Sequence, residues 1–497
     1  MGKLTDTALE VISSILAELR RERGIYAIIR CQERVDTEVL INNGKTERIR
    51  KTDFSGMGVQ VFTEDGYTGF VSYDRIVPGM IRELVEKAWL IAVGRGDPVF
   101  LSNREIFTLN PVRGRYEMPS EFGPDDLEIE AWDMEVKNLN RTVDPGTDAE
   151  FSIQTYNLAT REAWRIFRSD GTDVYFETPR AALYHSMTVK KDGNSVNASA
   201  NVSGADLHII RERAMLAKLS ARTGKALSMA VQLLDAPRIK KGSYKILIDY
   251  AMAKGLAHEA FGHASESDHA AESVLATDGV FRLGEKVAAD NVTIIDGPVR
   301  GDYAYCPVSA NGEIRENVEI VKNGRLHGGL GDIFSAREAG IEPSGAARAQ
   351  SYQSLPMPRM SNIRLTVADP IPLGAAFEEV TPADLYHLLK SRSLIGYDEK
   401  VIYLAGYGGG QVNPATGDFV FNCSGVYGLA EKPHLYQPAI FSGNVLSALQ
   451  SIICGIGPVE ATAVGTCGKM GQGVPSSGGG NCFILMDVND EVEVGGE

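Results

Sequence analysis

Eight histidines are spread over the 497 residues, and two of them share the stretch KGLAHEAFGHASESD, Lys254 to Asp268. His258 is followed at once by Glu259, and His263 stands five positions after His258. Neutral imidazoles, thiolates and carboxylates are the groups that bind zinc, and a catalytic site uses three of them and leaves one position open. Metal-bound water ionises near neutral pH. A carboxylate beside the ion then takes and returns its proton, and Glu259 is placed in sequence to do so. Zinc peptidases commonly carry His-Glu-x-x-His, with histidines four apart on one helical face. Here the spacing is one residue longer.

That residue matters. At ~100° per residue, five steps leave His263 ~140° around a regular helix from His258, so the two rings diverge. A π-turn, or a helix ending before His263, brings them together. Gly262 sits where either change asks for a permissive backbone. The spacing therefore predicts a π-turn or a break between Glu259 and His263. The same stretch also suits a solvated helical face or a polar cluster satisfied within the core. Local spacing leaves the third ligand open among Glu266, Asp268, His269, Glu272 and the six cysteines at 31, 306, 423, 454, 467 and 482. Cys467 stands out within VGTCGKMGQGVP, where glycines allow backbones to approach closely.

The elements around the motif follow from pattern. "MGKLTDTALEVISSILAELRRERG" reads as an amphipathic helix with Leu9, Ile12, Leu16 and Leu19 on one face, capped by Thr5 or Asp6 and ended by Gly24. It lacks the order of a signal peptide and is no good myristoylation signal. Asn43-Gly44 and Asp65-Gly66 mark hairpins. A helix is expected from about Gly79 to Val93, with Ile81, Leu84, Val85, Ala88 and Ile91 at helical period. The Pro- and Gly-containing segment 102–126 reads as a linker. A second block follows: a helix over 125–140, hairpin turns at Asp170-Gly171 and Asp192-Gly193, and a helix over 206–231. YKILIDY is a strand leading straight into the His-Glu helix, and the last hundred residues alternate apolar runs with glycine clusters. The fold class is α+β. Residues 1–236 form an N-terminal helix–strand–helix region, with a sub-boundary near 102–126. Residues 237–497 form a C-terminal, mainly antiparallel β domain carrying the metal helix.

Composition excludes some classes. The chain is 43% hydrophobic and 23% charged, with net charge −15. That charge disfavours nucleic acid and anionic membrane as partners. No apolar run reaches the ~18–20 residues of a membrane span. The scattered cysteines form no CxxC and no dense framework, which fits a reduced, cytoplasmic protein.

Taken together, the motifs resemble the TldD/PmbA peptidases, specifically the metal-carrying TldD-type branch. HEAFGHASESD is similar to that branch's HExxxH motif. TDFSGMGVQVFTEDGYTGFVS, the approach LLDAPRIKKGSYKILIDYAMAKGLAHEAFGH, PMPRMSN (Pro356 to Asn362), GYGGGQVNPATGDFVF and GTCGKMGQGVPSSGG resemble further family stretches, in the right order. The resemblance implies a cytosolic zinc peptidase with one Zn2+ per chain, held by His258, His263 and Cys467, with Glu259 as general base and acid. It implies unfolded or flexible peptides as substrates. It also implies a homodimer, or a heterodimer with a metal-free PmbA-type homologue, enclosing the site in a cavity. Where the family has an acidic stretch, this chain reads YAYCPVSANGEIREN, Tyr303 to Asn317; PSSGGGN, Pro475 to Asn481, replaces a more apolar run. Two other functions belong to different classes: a non-catalytic peptide-binding subunit, and a metal hydrolase of non-peptide amides.

Overall fold

The computed structural model describes residues 4–94, 106–118, 128–205, 209, 211–396 and 398–495. The chain opens with a single 3-10 turn, Thr7–Glu10, begun by Asp6, whose carboxylate accepts the Ala8 N–H. The helix Val11–Arg23 continues it and stops at Gly24, which has φ +62°. Leu9, Ile12, Leu16 and Leu19 are all buried on one face, as their spacing predicts.

That face packs against an eight-stranded sheet. Its centre is two long strands, Tyr26–Asn42 and Glu150–Arg168, paired antiparallel; Lys45–Phe62 and Thr68–Tyr73 extend it on one side. The turn between the first two strands in sequence is Asn43-Gly44, with φ +47° and +75°. Both values are positive, as a two-residue turn that matches strand twist requires. Arg180–Lys191 and Asn194–Gly204 form a further hairpin on the Glu150–Arg168 strand.

Three expectations need adjustment. The segment read as a linker contains a strand, Arg113–Tyr116, parallel to Asp173–Glu177; the rest of that reading lies partly outside the described residues. The second helix spans Ile81–Val93, but Ile91 is 40% exposed and Ala92 takes its place in the core. The next two helices begin later than expected, at Ile129 and Arg213, and residues 125–127, 206–208 and 210 lie outside the described residues.

The second large sheet has thirteen strands, all after residue 244. Most pairs are antiparallel, but its centre is mixed. The buried strand Lys245–Asp249 runs parallel to Val401–Val412 and antiparallel to Gln472–Met486, which is parallel to Asn362–Val367. Ile246, Leu247 and Ile248 are buried on both faces. Such a strand reads as a continuous apolar run rather than an alternating one. Helix residues Met252, Leu256 and Phe261 share one core with Phe419, Phe421 and Phe441.

The segment Tyr303 to Asn317 joins the two sheets. Arg30, fully buried, donates to the Ala310 carbonyl at 2.7 Å and to the Asn311 side chain at 2.8 Å. Arg168 donates to the Asn311 carbonyl at 3.2 Å. Arg315 forms a buried pair with Asp296 at 2.7 Å. The segment thus bonds to strands of both sheets.

Candidate metal centre

The site is built where the strand Lys245–Asp249 turns into a helix. Asp249 ends the strand and caps the helix, accepting the N–H groups of Ala251 at 3.1 Å and Met252 at 3.0 Å. Its other oxygen accepts the Gly406 N–H at 2.6 Å, tying the helix start to the neighbouring strand. Such a cap contributes about 1 kcal/mol.

A short α-helical segment, Tyr250–Gly255, follows. Leu256–Gly262 is then π-helical, and His263–Ser265 is a 3-10 turn. The His263 N–H donates to the His258 carbonyl, five residues back. This is the π-turn expected between Glu259 and His263, and it removes the ~140° divergence of a regular helix. The ring centroids lie 5.2 Å apart and nearly perpendicular. The role expected for Gly262 changes. Its φ is −57°, ordinary for a helix, so no special backbone freedom is used. A Cβ there would overlap the sulfur of the buried Met360, so close packing favours the glycine instead.

Cys467 arrives from the opposite side, on the strand Gly465–Lys469, which pairs with Gln472–Met486. Its Sγ is 3.7 Å from His263 Nε2. One ligand atom each from His258, His263 and Cys467 lie within 4.8 Å of one another. Among the described residues this is the group able to hold a metal, and Glu266, Asp268, His269 and Glu272 are not part of it. The other five cysteines are free thiols elsewhere.

Glu266 has a different place. Its Oε2 lies 3.2 Å from His263 Nδ1 and 2.8 Å from Lys469 Nζ, which also holds Asp268 at 2.7 Å. With Nδ1 turned to a carboxylate, Nε2 of the same ring points towards Cys467. Burial opposes charge on Glu266, but His263 and Lys469 outweigh it and lower its pKa. Arg359, fully buried, sets an Nε–H 3.3 Å from Cys467 Sγ and donates to the Cys467 carbonyl. Arg359 and Lys469 lie in the stretches PMPRMSN and GTCGKMGQGVPSSGG, which give neither residue a place at the site. No local spacing links them to residues about a hundred or two hundred positions away.

The two histidines differ electrostatically. Burial, then the cations Lys254 and His263, hold His258 well below the ordinary histidine pKa. Burial also opposes protonation of His263, but Glu266 and the Cys467 side chain prevail and raise it to about 10. Glu259 is raised by burial, with His263 and Lys254 pulling the other way. Glu259 lines a cavity of about 530 Å3, together with Lys254, Tyr407 and Thr466.

The donor set fits a metal. Two imidazoles and one sulfur converge, one imidazole is kept neutral, and the other is oriented by a carboxylate, the usual outer partner of a ligating histidine. A nitrogen–sulfur set of this kind suits zinc among common divalent ions.

Comparison with known proteins shows the family. The family model of the PmbA/TldA metallopeptidase C-terminal domain matches residues 241–467, and that of PmbA/TldA metallopeptidase domain 1 matches 27–92. A metalloprotease of Methanocaldococcus jannaschii is 29% identical over 95% of this chain and 98% of its own length. A metalloprotease TldD homolog of Haemophilus influenzae is 27% identical over 89% and 86%. A zinc metalloprotease TldD homolog of Saccharolobus solfataricus is 28% identical over 48% and 50%. Among solved structures, TldE from Thermococcus kodakarensis superposes with a TM-score of 0.73 at 16% identity, covering 99% of this chain and 100% of the other. The chain belongs to the PmbA/TldD metallopeptidase family.

Proposed function

We propose that this protein is a zinc-dependent peptidase of the TldD type, acting on unfolded or flexible peptides. His258, His263 and Cys467 hold one zinc ion per chain. The observation that carries the reading is their convergence within 4.8 Å, with Glu259 at the adjoining cavity. The Saccharolobus relative, named a zinc metalloprotease, supports the choice of metal.

When bound, zinc supplies a Lewis acid for a carbonyl and lowers the pKa of a water molecule. The chain's own groups do the rest. Glu259 accepts a proton from the attacking water and returns it to the leaving amine; its raised pKa suits both directions. Glu266 holds the His263 ring by Nδ1. Arg359 steadies the sulfur and carbonyl of Cys467. Gly465 and Thr466 line the cavity on a strand with one ladder partner, so an extended peptide can pair along it through backbone groups with weak sequence preference.

The same reading includes a dimer, with itself or with a PmbA-type homologue, in the cytoplasm, where thiols stay reduced. No helix among the described residues is long and apolar enough to cross a membrane. It also divides the chain into 1–236 and 237–497, each region built on one of the two large sheets.

Purified protein should contain about one zinc per chain and cleave a disordered peptide. Glu259→Ala should retain the zinc and lose at least ~100-fold in rate, the usual contribution of a positioned proton carrier. A protein that neither contains nor is stabilised by zinc would end this reading.

A further inference from the structure

The cavity beside Glu259 is lined by a cation whose only part so far is to act on Glu259 as a nearby charge. Lys254 stands on the last turn of the α-helical segment, one turn before His258, and is 7% exposed. Its ammonium lies next to the strand that carries Cys467: a Cβ on Gly465 would sit 3.2 Å from Lys254 Nζ. The glycine therefore leaves the space that the ammonium occupies.

The other charged groups lining this cavity are committed. Arg222 donates to Glu378 at 2.9 Å, to the Asn201 carbonyl at 2.9 Å and to Thr462 at 3.2 Å. Lys225 donates to the Val380 and Phe377 carbonyls at 3.0 and 3.4 Å. Asp249 caps the helix. Lys254 has no hydrogen-bond acceptor among the described residues; Glu259 and Cys467 act on it only as charges nearby. An ammonium has three donors and no acceptor. Lys254 lines the cavity, so an anion that enters it can supply a charged acceptor.

Five aromatic residues form part of the wall: Tyr250, Phe377, Tyr403, Tyr407 and Tyr427. Tyr403 stacks on Tyr427 with centroids 5.9 Å apart, and Tyr250 meets Phe377 edge-on at 4.9 Å. Tyr407 packs over Gly255, the residue after Lys254. A cavity with one unspent cation and an aromatic wall suits a residue that brings a carboxylate and an apolar body together.

We propose that Lys254 is a substrate-binding residue that receives a carboxylate of the peptide in this aromatic cavity beside Glu259. The carboxylate is either the free C-terminus of the peptide or an acidic side chain. This deepens the peptidase reading and rests on it for the word substrate, but the site itself is tested without cleavage.

The test is calorimetric binding of three small probes to the purified full chain, with metal content measured in parallel. N-acetylphenylalanine carries an α-carboxylate, N-acetylphenylalanine amide carries none, and N-acetylglutamic acid α-amide carries only a side-chain carboxylate. At least one carboxylate probe should bind about tenfold or more tightly than the neutral amide, the scale of one charge-assisted hydrogen bond. Lys254→Met should erase that preference at unchanged metal content, and Lys254→Arg should keep it. The probe preferred by the wild type identifies the source of the carboxylate. Equal binding of all three probes, or a preference that survives in Lys254→Met, overturns the proposal. Failure of the wild type to cleave any peptide would instead remove the peptidase reading and leave the probe result standing.

Discussion

The backbone N–H of His263 donates to the carbonyl of His258, and this i+5 bond closes the π-helical stretch that turns an unhelpful spacing into a shared site. On a regular helix the two imidazoles face apart. In the π-turn they stand with centroids 5.2 Å apart. The turn is held from outside by close packing of Gly262 against Met360, a residue of the PMPRMSN stretch.

Gly262→Ala should therefore destabilise the protein by about 1–3 kcal/mol, the range for overpacking a filled core. The new methyl meets the Met360 sulfur. Thermal unfolding of Gly262→Ala, Met360→Ala and the double variant gives the coupling. The double variant should be more stable than the sum of the single losses predicts. Strict additivity would show that the two residues do not compete for that space.

Glu266→Ala should weaken metal binding about 10–100-fold, as expected when the outer partner of a ligating histidine is lost. The carboxylate contacts His263 Nδ1 at 3.2 Å and is itself 1% exposed. Competition against a chelator measures the effect. Glu272→Ala, an exposed change on the same segment, should leave affinity unchanged.

Cobalt in place of zinc would show the sulfur directly. The wild type should display thiolate-to-cobalt charge-transfer absorption, and Cys467→Ser should lose it. Persistence of the band in the variant would exclude Cys467 as a ligand. Peroxide is a slow probe of this thiol, because Cys467 is 1% exposed and the Arg359 guanidinium lies against its sulfur.

His185 supplies a pH-dependent element far from the metal centre in sequence. It is 3% exposed, with Nδ1 3.0 Å from the Thr223 hydroxyl, where the strand Arg180–Lys191 meets the helix Arg213–Leu233. Burial lowers its pKa from 6.5 to about 4. The unfolded chain therefore takes up this proton before the folded one does. The stabilising contribution is complete above about pH 6.5 and falls away as pH drops towards 4. At 1.36 kcal/mol per unit the loss reaches about 3 kcal/mol. His185→Gln should flatten this part of the stability–pH curve relative to wild type, measured by chemical denaturation between pH 4 and 7. Parallel curves would show that His185 does not titrate in this window.

What sequence alone determined was local. Gly24 and Asn43-Gly44 mark places where the backbone must take positive φ, and Leu9, Ile12, Leu16 and Leu19 mark a buried face. Both signals lie within a few residues of each other, so periodicity and turn chemistry expose them. The family was legible for a related reason: several short stretches recur in a set order, and His258, Glu259, His263 and Cys467 lie within them. The tertiary structure decided what depends on distant pairing. The parallel strands at the centre of the second sheet are joined across more than a hundred residues, and no local pattern reports such a pairing. The places of Glu266, Lys469 and Arg359 follow from the hairpin that brings Cys467 to the helix. The reason for Gly262 reversed for the same cause: the helix supplies its φ, and only the fold brings Met360 against it.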